Sequence, residues 1–233
     1  MTLKIEQVCV ALDGKQVVHD ADVIVEPGTV TAVLGANGAG KSELVLGVAG
    51  MLPVTAGRIM VDGQPLQGMA PDAIRRAGVA AVPEGHRVLT RLSVDDNLRV
   101  AGSGLDHAAL RETLAETYRL FPELAGRKSQ LAGTLSGGQQ QMVAIGHALM
   151  ARPQYLLIDE MSLGLAPLIV KRLVGTLNEL ISRGTGVLLV EQFTEVALSV
   201  ATRVTIMRTG RVQFSGDIDA VRADPGILEK AYF

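Results

Sequence analysis

The segment Gly35-Ala-Asn-Gly-Ala-Gly-Lys41-Ser42 decides the fold of this sequence. It follows the apolar run Val30 to Leu34, and a helix is predicted to start at Ser42. Gly-x-x-x-x-Gly-Lys-Ser between a strand and a helix is typical of a phosphate-binding loop, because the glycines turn successive backbone N–H groups inward and the helix N-terminus attracts anions. A glycine-rich turn that matches by chance is disfavoured by this context.

Each residue of the loop has a predicted part in binding phosphate. Lys41 is expected to reach the β- and γ-phosphates of a nucleotide, and the Ser42 hydroxyl is expected to ligate Mg²⁺. Backbone N–H groups of the preceding residues would surround the phosphates, and these residues are Gly35, Ala36, Asn37, Gly38, Ala39 and Gly40.

Two carboxylates end a second apolar strand, Tyr155-Leu-Leu-Ile-Asp159-Glu160. Beside a phosphate loop, Asp159 would be a direct or indirect partner of Mg²⁺, and Glu160 could polarise an attacking water. Alone, the pattern would fit a solvated strand end equally well. Its pairing with the Lys41 loop favours the catalytic interpretation.

Length and composition exclude several classes of protein. With 233 residues, 48% of them hydrophobic and 20% charged, the chain is expected to form one globular domain and not a disordered, collagen-like or coiled-coil one. A formal net charge of -2 lacks the basic excess of a nucleic-acid binder. One cysteine, Cys9, and four scattered histidines fit neither a disulfide nor a zinc cluster, and favour a reducing cytosol.

The sequence shows neither an export signal nor a membrane span. The first ten residues are charged and strand-like, without the apolar core of a signal peptide. The longest run free of charged residues, Ser129 to Ala151, is too rich in Ser, Gly and Gln to cross a bilayer. Membrane association is therefore expected to go through a partner.

Hydrophobic patterning predicts an α/β fold with three parts. The N-terminal part is an antiparallel β region with a turn at Asp13-Gly14, and residues 84–151 form an inserted helical subdomain that contains a capping box at Ser93. Beyond Pro153, strands and helices alternate, which indicates a mostly parallel sheet. Predicted strands are Leu3 to Val10, Val17 to Val25, Val30 to Leu34, Gly57 to Val61, Val79 to Val82, Tyr155 to Ile158, Val187 to Val190, Val204 to Arg208 and Val212 to Phe214. Predicted helices include Asp106 to Leu120, Pro167 to Ser182 and Thr194 to Ala201.

The third motif is Leu135-Ser136-Gly137-Gly138-Gln139, which ends 20 residues before Asp159. Its small residues at a helix N-terminus can face a second phosphate. With all three motifs present, the chain resembles the ATP-binding subunits of ABC transporters, whose signature is LSGGQ. The resemblance covers essentially all of the chain and implies a P-loop NTPase fold of the ABC ATPase type.

The resemblance implies an ATP-hydrolysing enzyme that works in pairs. In that family two subunits pack head to tail, so that Ser136, Gly137, Gly138 and Gln139 of one chain close the ATP site of the other. The implied cofactors are ATP and Mg²⁺. Implied partners are a second ATPase subunit, membrane permease subunits and, indirectly, an extracytoplasmic solute-binding protein, with no nucleic acid. The implied location is the cytoplasmic face of the membrane, with the chain bound through the permease.

At three positions the sequence departs from the general ABC pattern, and these departures point to one subgroup of the family. Glu84 stands where Gln is usual, Gln192 where the switch His is expected, and Leu165 where the D-loop usually has Asp. These variants resemble the branched-chain amino acid importer ATPases. Glu84 can accept a water or approach Mg²⁺, and Gln192 can donate a hydrogen bond to the γ-phosphate without an imidazolium charge. The resemblance implies that the catalytic residues are Lys41, Glu160 and Gln192. It implies that the residues that bind the metal are Ser42, Asp159 and Glu84. For Glu84 and Gln192, the alternative is that each is a solvated loop residue without a role in catalysis.

The base-binding region also departs from the family. ABC subunits usually stack adenine on an aromatic residue, but the first aromatic residue of this chain is Tyr118. Leu12, Asp13 or Val17 must occupy that region, so weak discrimination of the base is expected.

Three other functions stay open at this point. The nearest is an importer ATPase for urea, short amides or another small polar solute. A soluble ABC ATPase of DNA repair or translation is disfavoured, because such proteins typically carry two cassettes or a long coiled-coil insert. A regulatory nucleotide switch is the third. Alone, the chain is expected to be a monomer or weak homodimer, and a heterodimer in the intact importer.

Overall fold

The computed structural model describes residues 2–85, 87–224 and 226–232, and within them ten strands form two sheets. One sheet is four-stranded and antiparallel, in the order β2-β1-β4-β5, and the other is six-stranded, in the order β10-β9-β3-β8-β7-β6. The strands are β1 (Leu3–Leu12), β2 (Lys15–Val25), β3 (Val30–Leu34), β4 (Val54–Val61), β5 (Gln64–Pro65), β6 (Val79–Val82), β7 (Tyr155–Asp159), β8 (Gly186–Glu191), β9 (Arg203–Arg208) and β10 (Arg211–Asp217).

Helices flank the larger sheet. They are α1 (Lys41–Val48), α2 (Pro71–Arg76), α3 (Val94–Ala101), α4 (His107–Leu120), α5 (Pro122–Ala125), α6 (Gly137–Leu149), α7 (Pro167–Ser182), α8 (Thr194–Val200), α9 (Ile218–Ala223) and α10 (Gly226–Tyr232). In the larger sheet all neighbours pair in parallel except β9 and β10. The predicted α/β fold with a mostly parallel core sheet and an N-terminal antiparallel region is confirmed.

The central strands are buried on both faces. Every residue of β3, β7 and β8 is buried, as expected for parallel strands covered by helices or a second sheet. Alternate residues point to opposite layers: Leu156 and Ile158 join a core with α3 to α7, whereas Leu157 joins a core with β1, β2 and α1. The sheet therefore separates two apolar cores.

Three two-residue turns shape the antiparallel parts. Asp13-Gly14, Asp62-Gly63 and Thr209-Gly210 each have positive φ at both positions, between 47° and 81°. This is the conformation of a type I′ hairpin turn, whose twist matches that of the flanking strands. Because the turns are so tight, strand pairing extends closer to the turn than the hydrophobic pattern predicted. The predicted strand began at Val17, whereas β2 begins at Lys15, which pairs with Leu12.

Helices α3 to α6 lie inside the predicted limits 84–151. Ser93 caps α3 by accepting a hydrogen bond from the Asp96 N–H at 3.1 Å. Apolar side chains of α3 to α6 share one core with β7, so the helical region packs directly against the sheet. Its status as an inserted subdomain stays a prediction.

Ion pairs join this helical region to α7. Arg119 of α4 bonds Glu179 at 2.7 Å, and Arg172 bonds Glu123 of α5 at 2.7 Å. Arg183 at the C-terminal end of α7 pairs with Glu116 of α4. These pairs connect α4 and α5 to α7, which begins directly after the loop that follows Glu160.

Two helix glycines provide a test of the packing. A Cβ on Gly47 of α1 would lie 2.7 Å from Val10 Cγ2 on β1, whereas a Cβ on Gly175 of α7 would meet nothing within 4 Å. We expect Gly47→Ala to lower the free energy of unfolding by about 1–3 kcal/mol through overpacking, because a β-branched valine cannot turn aside easily.

The matched control, Gly175→Ala, should raise the free energy of unfolding by about 0.5–1 kcal/mol, since alanine favours the helix and the site is open. Urea unfolding of both variants measures the difference. Equal effects of the two substitutions would contradict the packing of α1 against β1.

Candidate phosphate-binding site

Four loops meet at one edge of the parallel sheet and enclose a cavity of about 370 Å³. They follow β3, β6, β7 and β8, which are neighbours in the sheet, and the carboxyl ends of neighbouring parallel strands open into one crevice. The cavity is lined by Asn37, Gly38, Gly40, Lys41, Ser42, Glu43, Glu84, Glu160, Leu163 and Gln192. The structure thus brings five of the eight predicted loop residues together with the side chains of Glu84, Glu160 and Gln192. The other predicted residues of this region are not among those that line the cavity, and they are Gly35, Ala36, Ala39 and Asp159.

The shape of the Gly35–Ser42 loop depends on two glycines. At Gly35, with φ 152°, a Cβ would lie 2.2 Å from the Met207 carbonyl oxygen on β9. At Gly40, with φ 94°, a Cβ would lie 3.0 Å from the Val17 carbonyl oxygen on β2. Gly40 is the N-cap of α1, and within the described residues no side chain caps this helix end. The free N–H groups of the first turn are therefore available to an anion.

Lys41 is held over the loop by two backbone oxygens. Its ammonium donates to the Gly35 carbonyl at 2.8 Å and to the Ala36 carbonyl at 3.0 Å, and the residue is 4% exposed. Burial lowers the pKa of Lys41, and the negative charges of Glu160 and Asp159 oppose this shift. A phosphate oxygen could replace either carbonyl as an acceptor for the same ammonium group.

Asp159 is a buried carboxylate with an unpartnered oxygen. Its Oδ1 has no hydrogen-bond partner among the described residues, and the nearby Ser42 side chain favours the charged form of the carboxylate. Burial, followed by repulsion from Glu160 and Glu84, raises the pKa of Asp159 to about 6. A buried carboxylate oxygen without a partner costs free energy unless a cation or proton reaches it.

The oxygens of Ser42, Asp159 and Glu84 are the donor type that Mg²⁺ takes. No group of three or more His, Cys, Asp or Glu side chains is placed to hold a metal in residues 2–85, 87–224 and 226–232. Mg²⁺ usually binds through one or two protein oxygens together with substrate phosphates. The residues present fit this mode of binding.

Glu160 has an unusual backbone conformation. Its φ is 50°, in the left-handed region that non-glycine residues rarely adopt, and its N–H donates to the Val190 carbonyl at 2.9 Å. Burial and the nearby Glu84 raise the pKa of Glu160. Backbone strain of this kind concentrates at functional sites, where the surrounding structure holds it.

Glu191, next to Gln192, has a contact that the sequence analysis missed. Both carboxylate oxygens accept from Ser162: Oε1 from the backbone N–H at 3.0 Å and Oε2 from the hydroxyl at 2.7 Å. Glu191 is 1% exposed, and burial raises its pKa to about 7. An acid within an otherwise apolar strand was the available signal. Glu43 and Leu163 also line the cavity and were not predicted, although each neighbours a predicted motif.

The signature turn lies outside this cavity. Ser136 caps α6: its hydroxyl accepts from the Gln139 N–H at 3.4 Å, and Gln139 Oε1 accepts from the Ser136 N–H at 3.1 Å. A Cβ on Gly138 would lie 2.6 Å from Ile169 Cγ2, so the turn packs closely on α7. The structure does not bring Ser136, Gly137, Gly138 or Gln139 to the Lys41 loop of the same chain.

The region expected to meet the base lies on the β1–β2 hairpin. Leu12 is 38% exposed, Asp13 is in the turn, and Val17 on β2 is half-buried with its carbonyl close to Gly40. β2 therefore adjoins the phosphate loop without a Phe, Tyr or Trp side chain.

A glycine-rich loop ahead of a helix, a buried lysine, and acids on neighbouring strand ends together define a P-loop nucleoside-triphosphate hydrolase. The family model described as ABC transporter matches residues 18–162, more than half of the chain. The chain belongs to the ABC transporter family: it binds ATP, hydrolyses it, and is the ATP-binding subunit of a transporter.

Named relatives and a solved structure match along nearly the whole chain. BraG, a high-affinity branched-chain amino acid transport ATP-binding protein of Pseudomonas aeruginosa, is 40% identical over 92% of both chains. LivF, a probable branched-chain amino acid transport ATP-binding protein of Archaeoglobus fulgidus, is 31% identical over 86% of this chain and 85% of its own length. A solved ATP-binding subunit of an ABC transporter is 29% identical, with a TM-score of 0.86 over 99% of this chain and 98% of that chain. Within the described residues, no helix combines the length and apolar character needed to cross a membrane.

The buried Asp159 predicts a pH-dependent stability. Because its pKa in the fold is about 6, against 3.8 ordinarily, the folded protein holds this proton more tightly than the unfolded chain between these values. The free-energy cost of burying the charged Asp159 carboxylate is therefore fully present above pH 6 and decreases as the pH falls. Asp159→Asn should raise the free energy of unfolding by about 1–3 kcal/mol at pH 8 and by less at pH 5. The free energy is measured without nucleotide and in the presence of a chelator.

Asp219→Asn is the control, because the Asp219 side chain is 87% exposed. Its effect on the unfolding temperature should be small at both pH values. If Asp159→Asn raised the free energy of unfolding by the same amount at both pH values, burial of the Asp159 charge would not be the cause of the stabilisation.

Proposed function

We propose that this ATP-binding subunit energises an importer for branched-chain or related amino acids. The observation that carries the proposal is the 40% identity to BraG over 92% of both chains. The positions that depart from the general ABC pattern support it, because they resemble the variants of the branched-chain amino acid importer ATPases. Two of them, Glu84 and Gln192, line the cavity with Lys41.

In the proposed mechanism, the chain positions ATP and a water for phosphoryl transfer. Lys41 exchanges a loop carbonyl for oxygens of the β- and γ-phosphates, where its charge stabilises the transition state. The free N–H groups at the start of α1 contribute donors to the same phosphates. Ser42, Asp159 and Glu84 would hold Mg²⁺, which neutralises phosphate charge when it is bound.

Glu160 is the proposed water-activating carboxylate. It lines the same cavity as Lys41, and its raised pKa makes it a better proton acceptor than an exposed glutamate. Gln192, on the loop after β8, donates its amide N–H to the γ-phosphate. A neutral amide orients this group but supplies no positive charge, so Lys41 is the side chain of the cavity that stabilises the negative charge. A bound Mg²⁺ would add to this stabilisation.

A second ATPase subunit is the proposed partner that completes the site. Ser136, Gly137, Gly138 and Gln139 lie outside the chain's own cavity, which is consistent with a role at the partner's ATP. The chain would bind membrane permease subunits on the cytoplasmic face, and a solute-binding protein on the other face would act through them. No contact with nucleic acid is proposed.

Turnover of ATP tests the catalytic assignment. Glu160→Gln keeps the size of the side chain but removes the carboxylate, so steady ATP hydrolysis should fall by about 100-fold or more while ATP binding persists. Glu195→Gln, the same change at an exposed site, should keep wild-type turnover. Full activity in Glu160→Gln would refute the role of Glu160, and no turnover in the wild type would favour a nucleotide switch.

Uptake by the source cells tests the transported solute. A chromosomal Lys41→Ala change should abolish uptake of labelled leucine, because the importer loses ATP hydrolysis, and should leave uptake of urea and of an unrelated sugar intact. Lys4→Ala, at an exposed position on β1, is the control. Loss of urea uptake in place of leucine uptake would keep the ATPase mechanism and reassign the solute.

A further inference from the structure

One buried acid near the cavity has no part in the mechanism above. We propose that Glu191 is a positioning residue, whose carboxylate holds Ser162 and thereby fixes Glu160 and Gln192 for hydrolysis. This inference rests on the roles proposed for Glu160 and Gln192. It concerns a contact inside one chain and does not depend on the solute.

The contact uses every strong acceptor of the side chain. Glu191 Oε1 accepts from the Ser162 N–H and Oε2 from the Ser162 hydroxyl, at 3.0 and 2.7 Å. Both residues are almost completely buried, at 1% and 4% exposure. Two hydrogen bonds from one residue restrict both the distance and the orientation of the loop after Glu160.

The contact lies between the two catalytic loops. Glu191 is the last residue of β8 and directly precedes Gln192, while Ser162 follows Glu160 by two positions. On the other flank, the Glu160 N–H bonds the Val190 carbonyl at 2.9 Å. Three hydrogen bonds thus join residues 160–162 to 190–191, one at Glu160 itself and two just beyond it.

The backbone at Glu160 needs this support. A left-handed conformation at a non-glycine residue costs about 1–3 kcal/mol and persists only where surrounding contacts fix it. With φ at 50°, Glu160 would relax toward an ordinary conformation if Ser162 were released. Its carboxylate would then turn away from its place in the cavity.

A contribution to the stability of the fold does not explain why a carboxylate is buried at Glu191. No ion pair of the described residues includes Glu191, and the charged groups that act on it are Glu160 and Asp159, both acids. Burying a carboxylate among other carboxylates without a cation costs free energy. The Glu191–Ser162 contact therefore fits a positioning role better than a stabilising one.

The test measures kcat and KM for ATP together with thermal stability. Glu191→Ala removes the acceptor oxygens, and misplacing Glu160 by about 1 Å should lower kcat roughly 10- to 100-fold, with KM for ATP changed by less than about threefold. Glu191→Gln should restore kcat to within about threefold of wild type, because its amide oxygen accepts from the Ser162 N–H and its NH₂ donates to the Ser162 hydroxyl.

A second pair of variants isolates the contact itself. Ser162→Ala should lower kcat less than Glu191→Ala does, and the double variant should be no slower than Glu191→Ala, since both changes act on one interaction. Ser215→Ala is the control: this exposed serine on β10 pairs its hydroxyl at 3.2 Å with the buried Thr205 on β9, and neither residue lines the cavity. Loss of this hydroxyl should leave kcat at the wild-type value.

Each outcome gives a decision. Wild-type kcat in folded Glu191→Ala, or equal losses in Glu191→Ala and Glu191→Gln, would overturn the inference. If Glu191→Ala does not fold, Ser162→Ala decides: a lower kcat at constant KM supports the inference and an unchanged kcat refutes it. Persistent turnover in Glu160→Gln, measured in parallel, would overturn the proposed mechanism instead.

Discussion

The parallel pairing of β3 with β8 and β9 is the constraint on which the site depends. It brings the loop after β3 beside those after β8 and β7, so that Lys41, Glu160 and Gln192 share one cavity although they lie far apart in sequence. The close approach of Gly35 to the Met207 carbonyl then fixes the loop against β9. Loops at adjoining strand ends can vary in chemistry without disturbing the two apolar cores beneath them.

The same geometry places several acidic side chains close together at the site, where burying their charges costs free energy. Asp159, Glu160 and Glu191 all have pKa values raised by burial, and one positive side chain, Lys41, lies among the cavity-lining residues. An excess of negative charge at a phosphate site is unfavourable until cations arrive with the nucleotide. This negative charge supports the proposal that Mg²⁺ enters the site together with the nucleotide.

The sequence predicts the parts of this structure that depend on local chemistry. The Gly35–Ser42 loop, the strand Val79–Val82 and the helix Pro167–Ser182 follow from glycine spacing and apolar periodicity, and their bounds agree with the structure to within one residue. What could not be predicted depends on tertiary pairing. The Glu191–Ser162 contact joins residues 29 positions apart, and strand ends such as Lys15 are set by turn geometry and not by hydrophobicity.

The ion pairs between α7 and the helices α4 and α5 have a consequence for the mechanics of the chain. Their side chains are about one-third to one-half exposed, so dissolved salt reaches and screens them, with a screening length of about 8 Å at physiological ionic strength. α7 starts at the loop that carries Ser162, and its apolar side chains hold it to the sheet without help from charge. The ion-pair contribution to the contact between α7 and the helical region therefore varies with the surrounding electrolyte, whereas the apolar packing between them does not depend on charge.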